Sequence, residues 1–489
     1  MKAVYGTNED IASWMDLVER VRWNFPGLET KEGIDDYRQT LIKFVGKKQA
    51  ICVKEDNKVI GILLFSRNRN MICCLAVDPN HRKQGIATDL MKMALQELDR
   101  SRDITVSTFR ENDEKGTAPR ALYKSFGFVE GELIEEFGYP NQVFTLYARI
   151  KPERLHKGDT IATISPSWGC AGASRVRWQY ELGCEHLREL GLNVVAAPNS
   201  LKGTTYLRDN PEARAEDINW AFENKDVRAI IANIGGNDSE RLFPYISNES
   251  IRNNPKILCG YSDVMSLHLF CYRQGLMTFY GDNLLTNVAE VPNWHSYSKY
   301  HFERMLFDPS EIGKIEPSKE WSFGGCKHTD KNYKKNYIPD HGYCYVQGKG
   351  KARGRLFGGH GDLLKIKDVS GETLVKKTDF DGSILFFEDI PECCDPEGMA
   401  AFFNELGEKG YLQLLNGIII GKMRTDKPFE AYAERIRDVI TGRYSLPDLP
   451  VLGDLNFGHT SPIFLLPYGA EAKINIDEMS FSLLEGGVR

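Results

Sequence analysis

Three side chains far apart in the chain could together arm an alcohol for attack on a carbonyl. Ser262 lies in Gly260-Tyr261-Ser262-Asp263, between the apolar run Lys256-Ile257-Leu258-Cys259 and a helix-like segment from Val264 to Phe270. A serine at a sharp strand-to-helix turn stands clear of its neighbours and faces helix amides that can stabilise an oxyanion. Downstream come Glu388, in Leu385-Phe386-Phe387-Glu388-Asp389, and His459, in Asn456-Phe457-Gly458-His459-Thr460. The order Ser…Glu…His supplies a nucleophile, an orienting acid and a base. Asp389 is a second carboxyl that could take the acid's place, and His268 and His360 read as structural histidines.

A second group of residues suits a phosphate-bearing ligand. Arg82, Lys83, Gln84, Gly85, Ile86, Ala87 and Thr88 join a strand ending at Val77 to a long helix. Small residues there let backbone amides approach a ligand, and a helix N-terminus favours pyrophosphate.

The elements that must position these groups follow from hydrophobic patterning. Residues 1–150 read as mixed α/β, with strands at Gln49–Lys54, Val59–Ser66, Asn70–Val77, Ile104–Phe109 and Val143–Ile150 and helices at Ile86–Leu98 and Ala118–Ser125. The polar stretch 151–159 reads as a linker. From Thr160 strands and helices alternate: Thr160–Ser165, Val176–Leu190, Asn193–Ala197, Ala213–Phe222, Ala229–Asn233 and Ile257–Gly260. This alternation predicts a doubly wound parallel sheet, whose catalytic groups gather at the carboxyl ends of the strands. Gly235-Gly236 and Ser262 both fall there. Residues 160–342 form the nucleophile-bearing domain, with a polar, aromatic, aperiodic loop from Glu311 to Gly342. A smaller α/β domain, 343–489, brings Glu388 and His459. It has strands at Ser383–Phe387, Gly417–Gly421 and Pro450–Gly453 and helices at Pro396–Lys409 and Pro428–Thr441.

At 489 residues the chain is too long for one ordinary domain. Its 62 basic and 68 acidic residues leave a net charge of −6, with no basic block suited to nucleic acid. No apolar run approaches the roughly 18 residues of a membrane span, and the first ten residues lack a secretory apolar region. Eleven scattered cysteines without C-x-x-C pairs fit reduced thiols in a cytoplasm. Cys326 and His328 are close together, but two candidate ligands do not make a metal site, and none is expected.

The Arg82–Thr88 loop, with Ala121-Leu122-Tyr123-Lys124-Ser125-Phe126-Gly127-Phe128, resembles the GNAT superfamily of N-acetyltransferases over about residues 1–150. The resemblance implies acetyl-CoA bound in a V-shaped split between two central strands, with Tyr123 protonating the departing thiolate. Lys83 stands where the family commonly has glycine, and Cys74, on the strand lining the cleft, reads as a structural thiol.

From about residue 155 onward, a set of motifs in family order resembles the LD-carboxypeptidase/MccF serine peptidases. They are Ile164-Ser165-Pro166-Ser167, Tyr206-Leu207-Arg208, Arg214 to Ile218, Gly235-Gly236-Asn237-Asp238-Ser239, Gly260 to Asp263, Gly354 to Gly359, Glu388 and Gly458-His459-Thr460. Carried over, Ser262 is the nucleophile, His459 the base and Glu388 the orienter. The oxyanion would meet the Asp263 amide and an amide from Gly235 or Gly236. The family commonly has Asn where this chain has His360, which bears on substrate preference.

Two subclasses remain open. LD-carboxypeptidases release a terminal D-alanine from cell-wall tetrapeptides, whereas MccF-type enzymes cut the amide between an aminoacyl or peptidyl moiety and a nucleotide in microcin C. The long insertion between Tyr280 and Tyr343, with Trp294 and Trp321 as candidate base-stacking residues, favours the second. The acetyltransferase argues the same way, because microcin C immunity also employs acetylation of the aminoacyl amine. A non-catalytic sensor that binds acetyl-CoA or a nucleotide is the third reading. The resemblance also implies a homodimer through the hydrolase part.

Overall fold

The computed structural model describes residues 2–325 and 327–489. Its contacts divide the chain into two compact units, one ending at Arg149 and the other running from Ile150 to Arg489.

The first unit is built on a seven-stranded sheet. Its strands are β1 (Val4–Tyr5), β2 (Ala50–Glu55), β3 (Lys58–Ser66), β4 (Met71–Val77), β5 (Ile104–Phe109), β6 (Val129–Glu136) and β7 (Tyr139–Leu146). They lie in the order β1-β2-β3-β4-β5-β7-β6. Helices α1 (Ile11–Val21) and α2 (Lys31–Gly46) cover one face, and α3 (Ile86–Glu97) and α4 (Thr117–Ser125) the other. Both faces are therefore buried. Ile60, Leu63 and Phe65 of β3 point into the layer with α3, and Val59, Ile62 and Leu64 into the layer with α1. This explains why β3 reads as an unbroken apolar run rather than an alternating one. β4 and β5 are the one parallel pair and meet only at Met71 and Thr105, after which they part. The expected split between central strands is present. The expected last strand, Val143–Ile150, is instead the hairpin β6–β7, which ends at Leu146.

The second unit holds two sheets around one continuous core. In the first sheet, β8 (Thr160–Ile164), β9 (Asn193–Ala196), β10 (Val227–Ala232), β11 (Ile257–Gly260) and β12 (Phe279–Tyr280) are parallel. Their order is β12-β11-β10-β8-β9, and Leu466–Pro467 adds an antiparallel edge beside β12. The second sheet has a parallel centre, Lys351–Gly359, Ile384–Phe387, Gly417–Gly421 and Val451–Leu455, with antiparallel strands at both sides. The chain crosses between the sheets three times. Gly313–Ile315 joins the second sheet, Leu466–Pro467 returns to the first, and Glu471–Asn475 goes back to the second. Residues 151–159 pack into this unit: Leu155 is buried and its amide donates to the Leu306 carbonyl at 2.8 Å.

β8 lies between β9 and β10, so the chain leaves it in opposite directions across the sheet. The carboxyl ends of β8 and β10 thus form a topological switch point, where parallel sheets open a crevice. The segment 311–342 is largely irregular, with short strands at Gly313–Ile315, Glu320–Trp321 and Ile338–Pro339. The expected helix Pro428–Thr441 ends its regular part at Arg437 and continues as a wider π-turn over Asp438–Arg443.

The helix Met265–Arg273, which follows β11, ends in Arg273, whose guanidinium pairs with Asp379 near the second sheet. Both side chains are almost wholly buried. Removing one partner of such a pair strands the other charge in a dry interior. Arg273→Ala is expected to destabilise the second unit by roughly 3–5 kcal/mol, read from urea unfolding of wild type and variant.

Candidate active site

Ser262 follows β11 at the tip of a strand–turn–helix and takes φ +65°, a left-handed conformation that serine adopts only under constraint. Its amide donates to Tyr280 Oη at 3.2 Å, and Tyr280 closes the neighbouring strand β12. The loop after β10 presses on the turn from the other side. A Cβ at Gly235 would come within 2.8 Å of the Ser262 Cβ, so only glycine lets that backbone lie so close.

His459 bridges the two sheets' contributions. Its Nε2 lies 3.1 Å from Ser262 Oγ, and its Nδ1 lies 2.7 Å from Glu388 Oε2. The arrangement suits an imidazole that donates from Nδ1 and accepts the serine proton at Nε2. The Tyr261 ring packs edge-on against the imidazole, with centroids 5.1 Å apart. Gly458 precedes the histidine at φ +96°, and a Cβ there would lie 2.5 Å from Glu388 Oε2, so glycine is needed for both conformation and space.

Glu388 extends the strand Ile384–Phe387 and is 0% exposed. Its amide donates to the Gly359 carbonyl at 3.1 Å, and Tyr280 Oη donates to Oε1. Burial raises its pKa, but the His459 charge and the hydrogen bonds from His459 and Tyr280 outweigh this and hold it below the ordinary 4.5. The same balance runs in reverse at His459. Burial lowers its pKa, and the attraction of Glu388 more than compensates, leaving it above 6.5. Asp389 instead accepts from the Gly361 and Ile390 amides at 2.9 and 2.8 Å, and burial followed by repulsion from Glu388 raises its pKa. Glu388 is therefore the carboxylate that meets the imidazole.

A braced loop forms the facing wall. Asp263 Oδ2 accepts from the Asp238 and Ser239 amides at 3.0 and 2.9 Å, and Ser239 Oγ donates to the Asp263 carbonyl at 2.6 Å. Arg214, wholly buried, forks onto Asp238 at 2.8 and 3.1 Å and also donates to the carbonyls of Pro166 and Ser167. Ser167 Oγ accepts from the Asn237 amide at 3.0 Å. Gly235, Gly236 and Asp263, the sequence's oxyanion candidates, all border Ser262 or this loop.

The insertion closes behind His459. Ser322 and Ser461 exchange backbone hydrogen bonds at 2.6 and 3.0 Å, and a Cβ at Gly324 would lie 2.5 Å from the His459 carbonyl oxygen. The Lys335 side chain is only 4% exposed. Its ammonium donates to Ser461 Oγ at 3.0 Å, the Thr286 carbonyl at 3.1 Å and Glu290 Oε2 at 3.1 Å. Tyr337 donates to Glu290 Oε1 at 2.6 Å, and Tyr261 Oη to Thr286 Oγ1 at 3.1 Å.

Two sequence candidates fare differently. Trp294 is a correction: it is 5% exposed and packed edge-on against Phe302, which leaves no face for a base. Trp321 is half-buried, with the Lys422 ammonium 5.1 Å over its ring and Phe323 at its edge. His268 is a core histidine, 2.8 Å from both Thr278 Oγ1 and the Gly260 carbonyl, with its pKa lowered by burial to about 4. His360 is partly buried, with an Nε2 that has no hydrogen-bond partner among the described residues. Cys326 lies outside the described residues, and no cluster of metal-ligating side chains occurs among those described. Sequence reasoning missed Tyr280, Arg214's contacts and Lys335. Arg214 had a signal in its family motif, whereas Tyr280 and Lys335 are marked by no pattern.

In the first unit, Lys83 and Gly85 take left-handed φ of +61° and +82°, and α3 begins at Ile86 without a side-chain cap. A Cβ at Gly85 would meet nothing within 4 Å. The turn is thus an open cradle at a helix N-terminus, which fits a pyrophosphate. Ile86 itself is buried and packs against Gly61. Tyr123 is buried between Phe128 and Phe144, at ring distances of 5.8 and 6.2 Å, and burial, then Cys74, pushes its pKa up. Burial also raises the Cys74 thiol to about 12, and Tyr37 Oη lies 3.9 Å from its sulfur.

A serine at a strand-to-helix turn of a parallel sheet, with a histidine and a buried glutamate hydrogen-bonded in series, is an arrangement that can arm a hydroxyl for attack on a carbonyl. Residues 161–281 match the LD-carboxypeptidase N-terminal domain family, 353–474 the LD-carboxypeptidase C-terminal domain family, and 47–130 the acetyltransferase (GNAT) domain family. A putative carboxypeptidase of Vibrio cholerae is 30% identical over 346 residues, spanning 70% of this chain and 99% of that protein. The chain belongs to the LD-carboxypeptidase family, with a GNAT domain ahead of the peptidase. The microcin C7 self-immunity protein MccF of Escherichia coli is 28% identical over 342 residues, 68% of this chain and 94% of its own. A structure of MccF in complex with aspartyl sulfamoyl adenosine superposes with a TM-score of 0.60 at 25% identity, covering 70% and 100% of the two chains. An MccF-like protein from Streptococcus pneumoniae, in complex with AMP, gives 0.59 at 29% identity, covering 67% and 98%.

Since His459 must be neutral to accept a proton and its pKa lies above 6.5, reactivity should rise with pH along a limb centred above 6.5. Labelling of Ser262 by a fluorophosphonate is expected to follow that limb. It should slow about 10⁴-fold in Glu388→Gln, where the tautomer is no longer fixed.

Proposed function

We propose that this protein is a bifunctional detoxifying enzyme that acts on aminoacyl or peptidyl nucleotides of the microcin C type. The observation that carries the reading is the hydrogen-bonded series Ser262–His459–Glu388 at the carboxyl end of the parallel sheet. His459 Nε2 takes the proton as Ser262 Oγ attacks the carbonyl of the aminoacyl amide. The Asp263 amide and an amide of Gly235 or Gly236 receive the oxyanion, each worth about 2.7–4 kcal/mol in the transition state. The imidazolium, stabilised by Glu388, then protonates the leaving nitrogen on the nucleotide side. Water, activated by the same imidazole, releases the acyl group from Ser262.

The first unit supplies the second reaction. Acetyl-CoA, when bound, provides an activated acetyl group. Backbone amides of the Arg82–Thr88 turn hold the pyrophosphate, and Tyr123 holds a proton at Oη for the departing thiolate. Acetylating the α-amine removes a cation from the aminoacyl group, and cleavage separates that group from the nucleotide. The nucleotide reading is supported by the relatives' complexes with AMP and aspartyl sulfamoyl adenosine. The second reading, release of D-alanine from muropeptides, is favoured by the carboxypeptidase description of the Vibrio cholerae relative.

Mass spectrometry of aminoacyl sulfamoyl adenosines incubated with the protein, with and without acetyl-CoA, separates the readings. Cleavage and a 42 Da acetyl adduct, about the mass of one acetyl group replacing hydrogen, are expected. No cleavage and no acetylation, alongside D-alanine release from a muropeptide, would reverse the assignment. Ser262→Ala should lose cleavage by roughly 10⁶-fold and keep acetyl transfer.

A further inference from the structure

The hydrogen bonds that begin at Ser262 return to it. They run from Ser262 Oγ to His459 Nε2 at 3.1 Å, and from His459 Nδ1 to Glu388 Oε2 at 2.7 Å. Glu388 Oε1 then accepts the Tyr280 hydroxyl, and the oxygen of that hydroxyl accepts the Ser262 amide at 3.2 Å. The path leaves the nucleophile by its side chain and comes back to its backbone.

Proton counting sets the direction of the links through Tyr280. The Ser262 amide can only donate, so Tyr280 Oη accepts there and spends its single proton on Glu388. With His459 donating from Nδ1, both carboxyl oxygens face donors, and a protonated Glu388 would have to give one of them up. Burial, then the Glu388 charge, pushes the Tyr280 pKa well above 10, so the phenol keeps its proton. The engaged Ser262 amide is also not available to an oxyanion.

The ring that carries the hydroxyl is held without it. Tyr280 is wholly buried and pairs along β12 with Gly260 on one side and Leu466 on the other. Its ring packs against Phe386 and Tyr468, with centroids 5.4 and 6.3 Å away. Gly260 lies two places before Ser262, and Phe386 two places before Glu388. The same packing therefore sets the hydroxyl between nucleophile and acid, and removing its oxygen leaves the contacts of the ring in place.

We propose that Tyr280 is a positioning residue of the hydrolytic machinery, whose hydroxyl keeps Glu388 an acceptor for His459 and anchors the turn that presents Ser262. The proposal rests on the reading of Ser262 as the nucleophile.

Tyr280→Phe in the full-length protein tests it, with fluorophosphonate labelling of Ser262 followed across pH. Loss of a hydrogen bond to a charged group should slow labelling roughly 10- to 100-fold. Glu388, deprived of one donor, should hold the His459 proton more tightly, so the rising limb should move to higher pH. The other titratable and charged groups that act on the pair, His360, Asp389, Glu392 and Arg424, are unchanged. A fluorinated tyrosine at the same position, with a more acidic hydroxyl, should move the limb to lower pH. Urea unfolding shows whether the Phe variant keeps its fold, and the fluorinated form carries the test if it does not. A folded Tyr280→Phe that labels at the wild-type rate, or a limb that moves in neither protein, would overturn the proposal and leave the nucleophile standing. A wild type that takes no label at Ser262 would overturn the nucleophile reading, and Tyr280's role with it.

Discussion

Glu388 bears its charge where there is no solvent exposure, and a carboxylate so placed persists only if other groups replace the water it has lost. Two donors do so, His459 Nδ1 on one oxygen and Tyr280 Oη on the other. The same Tyr280 oxygen accepts the Ser262 amide, so the acid's environment and the nucleophile's strained backbone are set by one phenol. Room for the carboxylate comes from absent side chains. Gly458 lies against its oxygen, and a Cβ at Gly421 would fall 2.8 Å from its Cβ. Satisfying this charge therefore requires that both sheets of the second unit meet at one place, since Ser262 and Tyr280 come from one and Glu388 from the other. That requirement fits a chain that crosses three times between the sheets rather than folding as two separate lobes.

Much of this was legible in the sequence, for identifiable reasons. Strands buried on both faces leave continuous apolar runs, so β3, β8, β11 and the strand Gly417–Gly421 stood out with nearly their observed limits. Ser262, Glu388 and His459 were found because each sits beside glycines or an apolar strand end that only close packing explains. Helices α1 and α2 were not read. α2 buries little more than Ile34, Leu41 and Val45 among many charges, too few to show a period. The β6–β7 hairpin was half-hidden by its two-residue turn, where Phe137 at φ +52° precedes Gly138 at φ +70° and stands where asparagine, aspartate or glycine would complete the signal.

The tryptophans show where pattern reading ends. Trp294 and Trp321 drew attention because they lie in a long polar insertion, yet one is in the core and the other under a lysine. Trp168, 38% exposed, drew none, although it directly follows the motif Ile164-Ser165-Pro166-Ser167. Whether a ring is available to a ligand depends on what packs against its two faces, and nothing in the local sequence records that.

The Lys335–Glu290 pair joins two parts of the insertion by charge, and Lys335 also ties it to the loop that bears His459. Both side chains are hidden from water, and the ammonium also reaches the serine two places beyond His459. A descendant of this chain that lost only the stretch bearing Lys335 and Tyr337 would leave Glu290 buried without either partner. Shortening would therefore have to begin with loss of Glu290, so the order in which such substitutions can accumulate is constrained by one ion pair.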